Sequence, residues 1–253
     1  MTSLPAELPD GDSPLDEGAV ALVTGATSGI GLEIARQLIQ HGVMVWVGAR
    51  DLGKGQAVAD ELGGGARGLQ LDVTDAESIA AAARELTALD ILVNNAGISP
   101  GNDDITQAGA GEFRAAYETN VFGLAAVTQA MLPLLRRSAH PRIVNISSGT
   151  GSLAWAAGPN PQFDWDIVKG RGLAYRSSKT AVNALTLMTA QALGEPFKVN
   201  ALAPGLRRTN LTPGMTAGGD PAEAAGGAVR LALLPDDGPT GGLWSWDGSL
   251  APW

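Results

Sequence analysis

Short apolar runs that alternate with stretches of helical periodicity constrain this chain more than any other feature. "AVALV" (Ala19–Val23) leads into "GIGLEIARQLIQHG", where Ile30, Ile34 and Leu38 share one helical face and Gly42 closes the helix. The pairing recurs in "VMVWVGAR" with "DLGKGQAVADELGGG", and in "RGLQLDV" with "DAESIAAAARELTAL". "DILVNNAG" precedes a long helix expected from about Gly109 to Arg137, tolerating or kinking at Pro133. "RIVNISS", a helix over 173–193, "KVNALAPG" and a last strand in "GGLWSWDG" complete the series. These strands are apolar almost throughout rather than at alternate positions, so both of their faces are covered.

Strand followed by helix, repeated, implies a parallel sheet with crossover helices. The expected fold class is α/β: a doubly wound Rossmann-type fold whose central, mostly parallel sheet has about seven strands, with helices on both faces. A chain of 253 residues with 45% apolar and 17% charged content suits one compact domain. Residues 18–253 are assigned to it. Residues 1–17, acidic and rich in proline, are expected to be a flexible tail. They hold neither a basic segment nor an apolar one, so they do not resemble a signal peptide. No run of about 18 apolar residues occurs to span a membrane, and a cytoplasmic protein is expected.

Charge and residue usage exclude other classes. A net charge of −9 argues against a nucleic-acid or anionic-membrane surface. There is no cysteine, hence no disulfide framework, thiolate nucleophile or cysteine metal site. His41 and His140 are the two histidines, and neither sits in a metal-like cluster, so no metal is expected.

The first strand ends in "TGATSGIG", Thr24–Gly31. Gly25 permits a tight turn there. Gly29 and Gly31 let backbone approach a phosphate and let the helix pack on the sheet. The spacing differs from the usual G-x-G-x-x-G fingerprint. Its position between the first strand and first helix still marks a dinucleotide site, because orphan N–H groups at the helix start face the pyrophosphate.

Seven stretches, in order, resemble the short-chain dehydrogenase/reductase family in its single-domain form of roughly 250 residues. They are "TGATSGIG", "LDV" (Leu71–Val73), "NNAG" (Asn94–Gly97), "TNVFG" (Thr119–Gly123), "IVNISS" (Ile143–Ser148), "YRSSK" (Tyr175–Lys179) and "PGLRRT" (Pro204–Thr209). The C-terminal "GPTGGLWSWDGSLAPW" further resembles the carbonyl-reductase-like branch. The resemblance implies a catalytic tetrad of Asn120, Ser148, Tyr175 and Lys179. Reducing a ketone puts a hydride on carbon and a proton on oxygen. A tyrosine donates that proton if a cation one helical turn away lowers its pKa from about 10. Lys179 is that cation, and in the family it also binds the nicotinamide ribose. Ser148 would hold the substrate oxygen, with Ser147 as its competitor, since strand neighbours face opposite sides. Asn120 would anchor a water linking Lys179 to solvent, or else bond backbone at a helix bend.

The resemblance also implies the cofactor contacts. Gly25, Thr27, Ser28, Gly29, Ile30 and Gly31 would cradle the pyrophosphate. Asp72 would meet the adenine amine, with Val73 beside the ring. Asn94, Ala96 and Gly97 would line the cofactor, and Pro204, Gly205 and Thr209 would wrap its nicotinamide end. At the end of the second strand, Ala49 takes the place where a carboxylate would favour NAD. Arg50 follows with a forked guanidinium suited to a 2′-phosphate. NADPH/NADP+ is therefore the expected cofactor, and Asp51 is expected to cap the next helix.

Ser148 and Tyr175 stand further apart than the dozen or so residues common in the family. An insertion over about 151–172 accounts for the excess. It is either an aromatic wall over the active site or a packed surface elaboration. Candidate substrate residues are Ser99, Thr150, Trp155, Phe163, Trp165 and Leu206. The expected function is NADPH-dependent reduction of a bulky, possibly polycyclic or polyketide-derived ketone, with a small-molecule ketone/alcohol as partner. The alternatives are an alcohol dehydrogenase working oxidatively and a non-catalytic nucleotide sensor. A homo-oligomer, dimer or tetramer, is possible, and a monomer is equally compatible with the sequence.

Overall fold

Val20–Thr24 forms the first strand, β1, and its side chains divide between two cores. Ala21 and Val23 join one apolar cluster and Leu22 the other, as a two-residue period in a strand covered on both faces requires. Met44–Ala49 (β2) repeats the division, with Val45 and Val47 on the first side and Trp46 on the second. This computed structural model describes residues 13–15, 18–101, 103–162, 168, 170–211 and 217–253. Most of the segment read as a tail lies outside them. Leu15, however, is buried in the first cluster, so the chain meets the core before residue 18.

The remaining strands are β3 (Arg67–Gln70), β4 (Ile91–Asn94), β5 (Arg142–Ile146), β6 (Lys198–Ala203), β7 (Leu243–Ser245) and β8 (Leu250–Ala251). They form an eight-stranded sheet in the order β3-β2-β1-β4-β5-β6-β7-β8. The first seven are parallel, and β8 returns antiparallel along β7. The fold is thus α/β with a mostly parallel, Rossmann-like sheet, and one more strand than the sequence suggested. The "GGLWSWDG" strand stops at Ser245, and a turn returns the chain as β8. Chain order reverses between β1 and β4. Ligands of open α/β sheets bind in the crevice at such a switch point.

The helices named next flank both faces. On the first lie α1 (Gly29–Gln40) and α2 (Leu52–Leu62), where Asp51 caps α2 by accepting from the Lys54 N–H at 3.0 Å. With them packs Pro221–Ala232, a helix that sequence reasoning missed. It is numbered α8 here because α3 (Ala76–Glu85), α4 (Ala110–Tyr117), α5 (Leu124–Leu135), α6 (Leu153–Ala157) and α7 (Leu173–Leu193) precede it. Its start signal was present, since Asp220 caps the helix through the Ala222 N–H at 2.9 Å and Pro221 follows. The Gly226–Gly227 pair masks the helical pattern. Gly227 is needed there, because a Cβ would come within 2.7 Å of the Trp246 carbonyl. α3, α5 and the C-terminal part of α7 cover the second face.

The long helix expected from Gly109 to Arg137 is interrupted, and not at Pro133. That proline lies inside α5, while Glu118–Gly123 makes a π-helical turn between α4 and α5. A π turn inserts an extra residue and rotates the side chains that follow it. Gly123 sits so close to the sheet that a Cβ would be 2.7 Å from the Val73 carbonyl oxygen. Asn120 is buried in this turn. No helix among the described residues is long and apolar enough to cross a membrane.

Candidate active site

The turn after β1 fits a bound dinucleotide. Gly25 has φ +63°, and a Cβ on it would lie 3.0 Å from the Ala96 Cα. A Cβ on Gly31 would meet the Asn95 amide and come 2.7 Å from the Gly25 carbonyl oxygen. Ser28, at the N-cap of α1, makes no side-chain capping bond, so the first N–H groups of α1 remain available to an anion. A cleft of about 260 Å³ opens beside Gly29, bounded by Glu33, Arg208, Thr209, Asn210 and Asp220. Among the described residues, no group of three or more His, Asp or Glu side chains is placed to hold a metal.

Thr24 and Asn95 lock this turn to the end of β4. The Thr24 hydroxyl accepts from the N–H groups of Asn95 (3.0 Å) and Ala96 (2.9 Å). The Asn95 amide donates to the carbonyls of Thr24 (2.9 Å) and Gly25 (3.1 Å). Asn94 is expected to line the cofactor through its backbone; its side chain points into the interior and donates to Thr128 and Asn145, each at 2.9 Å. Asn145 in turn donates to Thr186 at 2.9 Å. Adjacent residues at a strand end face opposite ways, which is why the pair divides its duties.

The end of β2 carries a buried Ala49 and an exposed Arg50. Asp72, past β3, accepts from the Thr74 N–H (2.9 Å) and hydroxyl (2.7 Å). The Thr74 backbone bond is the main cause that holds its carboxyl below the usual range; partial burial opposes this, and the nearby Arg50 charge assists. Val73 is buried against Gly123 of the π turn.

Ser148, Tyr175 and Lys179 come together at the C-terminal end of β5 and the first turns of α7. Ser147 is turned the other way and donates to Asn183 Oδ1 inside the fold. Ser148 is the serine on the Tyr175 side, where it opposes the rise in the phenol's pKa. Its hydroxyl also lies 2.8 Å from that of Thr150, and Ser99 is partly exposed just beyond Ile98. Lys179 is buried and donates to the Ile146 carbonyl oxygen at 2.7 Å. Its Nζ lies 5.7 Å from the centre of the Tyr175 ring. Asn120 and Lys179 flank Gly97, where a Cβ would be 3.3 Å from Asn120 Oδ1 and 3.5 Å from Lys179 Nζ.

Burial pushes the Tyr175 phenol up to about 12, with Ser148 opposing the rise. The Lys179 ammonium is directed at the Ile146 carbonyl, and at 5.7 Å from the ring centre its effect is outweighed by burial. Burial also lowers Lys179, to about 8. Asn120 bonds backbone at a helix bend, the second of its two expected roles, and so ties the π turn to the strand-end loop. Its Oδ1 accepts from the Ile98 N–H at 2.9 Å, and its Nδ2 donates to the Ile98 carbonyl (3.0 Å) and the Ser178 hydroxyl (2.9 Å).

The described start of the insertion packs as structure. Ser152 donates to the Pro252 carbonyl at 2.7 Å, and the Ala154 N–H donates to that of Trp253 at 2.9 Å. Trp155 is buried among Ala201, Ala203, Leu243 and Ala251, not exposed in a pocket wall. Phe163 and Trp165 lie outside the described residues. Leu206 is exposed, and Pro204 and Gly205 end β6 beneath Trp246. Thr209 rests on the cofactor turn, 3.3 Å from where a Cβ on Gly29 would stand.

Comparison with known proteins agrees with this geometry. A short chain dehydrogenase family model matches residues 19–161. (-)-Isopiperitenone reductase of Mentha piperita is 36% identical, over 91% of this chain and 97% of its own. The structure of salutaridine reductase from Papaver somniferum superposes with a TM-score of 0.73 at 30% identity, covering 89% of this chain and 99% of that one. A 3-ketoacyl-(acyl-carrier-protein) reductase from Brucella melitensis, complexed with NADH, gives 0.79 at 25% identity, over 92% and 98%. The glycine turn at the switch point, the Ser148–Tyr175–Lys179 cluster and these matches make the chain a member of the short-chain dehydrogenase family, an oxidoreductase that interconverts CH–OH and C=O with a nicotinamide cofactor.

Proposed function

We propose that this protein is an NADPH-dependent ketoreductase acting on a bulky, ring-containing ketone of the polycyclic or polyketide-derived kind. The observation that carries the reading is the gathering of Ser148, Tyr175 and Lys179 at the end of β5, with Lys179 Nζ 5.7 Å from the Tyr175 ring centre and burial raising the phenol to about 12. A phenol with that pKa stays protonated throughout the neutral range. It therefore suits donation of a proton to a carbonyl oxygen better than removal of one from an alcohol. Use of NADPH as hydride donor would favour the reductive direction, and a nucleotide sensor would need neither Ser148 nor Tyr175.

Bound NADPH would supply the hydride to the carbonyl carbon. Gly25–Gly31 and the start of α1 would hold its pyrophosphate, Asp72 its adenine, Lys179 its nicotinamide ribose and Arg50 its 2′-phosphate. Ser148, with Thr150 at its hydroxyl, would donate to the substrate oxygen and hold it as negative charge develops. Tyr175 would pass its proton to that oxygen. The buried ammonium of Lys179 adds positive potential beside the emptied phenolate until it is reprotonated. Two of the similar proteins are named for isopiperitenone and salutaridine, which supports a ring-containing ketone as the substrate class.

Arg50 supports the cofactor assignment. Ala49 ends β2 where a carboxylate would accept from a free ribose, and Arg50 is exposed there with the Asp72 charge nearby. Arg50→Asp removes a charge-assisted contact worth roughly 1.5–3 kcal/mol and adds repulsion against the 2′-phosphate. The ratio of kcat/KM for NADPH to that for NADH should fall by at least about tenfold, measured on the best ketone of a panel that includes polycyclic quinones. An unchanged ratio removes Arg50 from the site, and failure of NADPH to reduce any panel member removes the ketoreductase reading.

A further inference from the structure

One buried arginine has no part in the chemistry above. Arg207 follows β6 and is only 7% exposed. Four contacts, each to a different segment, hold it. Its Nε donates to the Pro204 carbonyl at 2.7 Å, at the end of β6. Its Nη1 meets Glu223 Oε2 of α8 at 2.5 Å. Its guanidinium lies 4.3 Å from the centre of the Trp246 ring, in the β7–β8 turn. Its backbone pairs with Gly219 where the chain returns toward α8; there the Arg208 N–H donates to the Gly219 carbonyl (3.1 Å), and the Gly219 N–H to that of Leu206 (2.9 Å).

Two of these partners are themselves constrained. The Trp246 N–H donates to the Ala203 carbonyl at 3.1 Å, and the Trp246 carbonyl accepts from Arg230 at 3.0 Å. Gly219 has no room for a side chain, since a Cβ there would collide with the Arg207 guanidinium and come 2.9 Å from Glu223 Oε2. Two residues beyond Arg207, Thr209 lies against Gly29 of the phosphate turn. A loop of glycine, proline and threonine has little apolar area to hold it in place. A stacked, ion-paired guanidinium supplies the missing constraint.

We propose that Arg207 is a positioning residue for the cofactor: it clamps residues 204–211 to α8 and to Trp246, so that Thr209 is delivered onto Gly29 at the pyrophosphate. This rests on the reading of Gly25–Gly31 as the cofactor turn. Arg207 touches neither the reacting atoms nor the phosphates. Its removal therefore changes how firmly the cofactor is held more than how fast the bound complex reacts.

The test is direct titration of NADPH fluorescence with the purified chain, alongside steady-state kinetics and thermal melting. Arg207→Met keeps the bulk but loses the charge and the planar stack. Its Kd for NADPH should rise about tenfold or more, with kcat at saturating NADPH within about threefold of wild type. Glu223→Gln keeps the stack and one polar contact, and should give a smaller rise in Kd. Arg207→Lys should recover part of the affinity, since an ammonium replaces the charge but not the fork. If Arg207→Met proves unfolded by circular dichroism, Glu223→Gln and Arg207→Lys still rank the effect. A Kd unchanged in every folded variant, whatever happens to the melting temperature, shows Arg207 to be merely structural and overturns the proposal. Wild-type protein that fails to bind NADPH or NADH would instead overturn the cofactor reading, and the proposal with it.

Discussion

Tyr175→Phe should lower kcat for ketone reduction by at least about 100-fold while leaving the fold and NADPH affinity nearly intact. Only a hydroxyl is removed. The ring keeps its place on α7, and Lys179 keeps its bond to the Ile146 carbonyl. What is lost is the phenol that would donate the proton to the substrate oxygen beside Ser148. Ser148 and Thr150 remain to hold the substrate oxygen, so KM for the ketone should change much less than kcat. The control is the NADPH titration, because a variant that binds cofactor like wild type has not been damaged elsewhere. Turnover within a few-fold of wild type would move the proton source to another group and remove the basis for the ketoreductase assignment.

The parts of the fold that were legible in the sequence are those where local pattern and tertiary demand agree. β1 and β2 are apolar on both faces because both faces are covered, and α1 shows its buried Ile34, Ala35 and Leu38 at helical spacing. Elements escaped where a tertiary contact overrode the local signal. α8 contains two adjacent glycines, unfavourable within a helix, yet Gly227 is required by the close approach of Trp246. The π turn has no sequence signature. Gly123 and Val73 must pack together there, and nothing between Thr119 and Gly123 announces it.

The candidate site divides in the same way. Residue types and order identified Ser148, Tyr175 and Lys179, and the structure gathers them. Directions were harder to read. Which of the Asn94 and Asn95 side chains faces the glycine turn is a matter of strand register, which the motif alone does not give. Electrostatics were hardest, because the i, i+4 spacing of Tyr175 and Lys179 gives proximity but not burial. The expected cationic lowering of the phenol rested on that one-turn proximity. β5 instead presents the Ile146 carbonyl to it, and desolvation dominates both groups. Arg207 escaped because an arginine in a proline- and glycine-rich loop reads as solvated, until α8 and Trp246 close over it.

Lys179 should cost the protein stability at neutral pH in exchange for activity, and Lys179→Met separates the two. In the folded chain, burial lowers the amine to about 8 from the ordinary 10.5. Below pH 8 it is nonetheless charged in both states, and that buried charge destabilises the fold by at most about 3 kcal/mol. Between about 8 and 10.5 the unfolded chain binds more protons than the folded one, so wild-type stability attributable to this residue rises with pH. Above that window the amine is neutral in both states and the penalty is gone. Methionine carries no charge but leaves the Ile146 carbonyl without its donor, a loss on the order of 1 kcal/mol at every pH. The two curves should therefore cross. At pH 7 the variant should melt a few degrees above wild type, since about 1 kcal/mol moves Tm by 2–4 °C in a chain of this size. Above about pH 10.5 it should melt below wild type. Tyr175, shifted the other way from 10 to about 12, loses stability over that higher range in both proteins and cancels from the difference. Activity should move the opposite way, with kcat/KM for ketone reduction falling at least about 100-fold in the variant at pH 7. Thermal melts of both proteins between pH 6 and pH 11 read the crossing directly. A variant less stable than wild type at every pH would mean that the Ile146 hydrogen bond outweighs the desolvation of the ammonium, and that this lysine carries no stability cost.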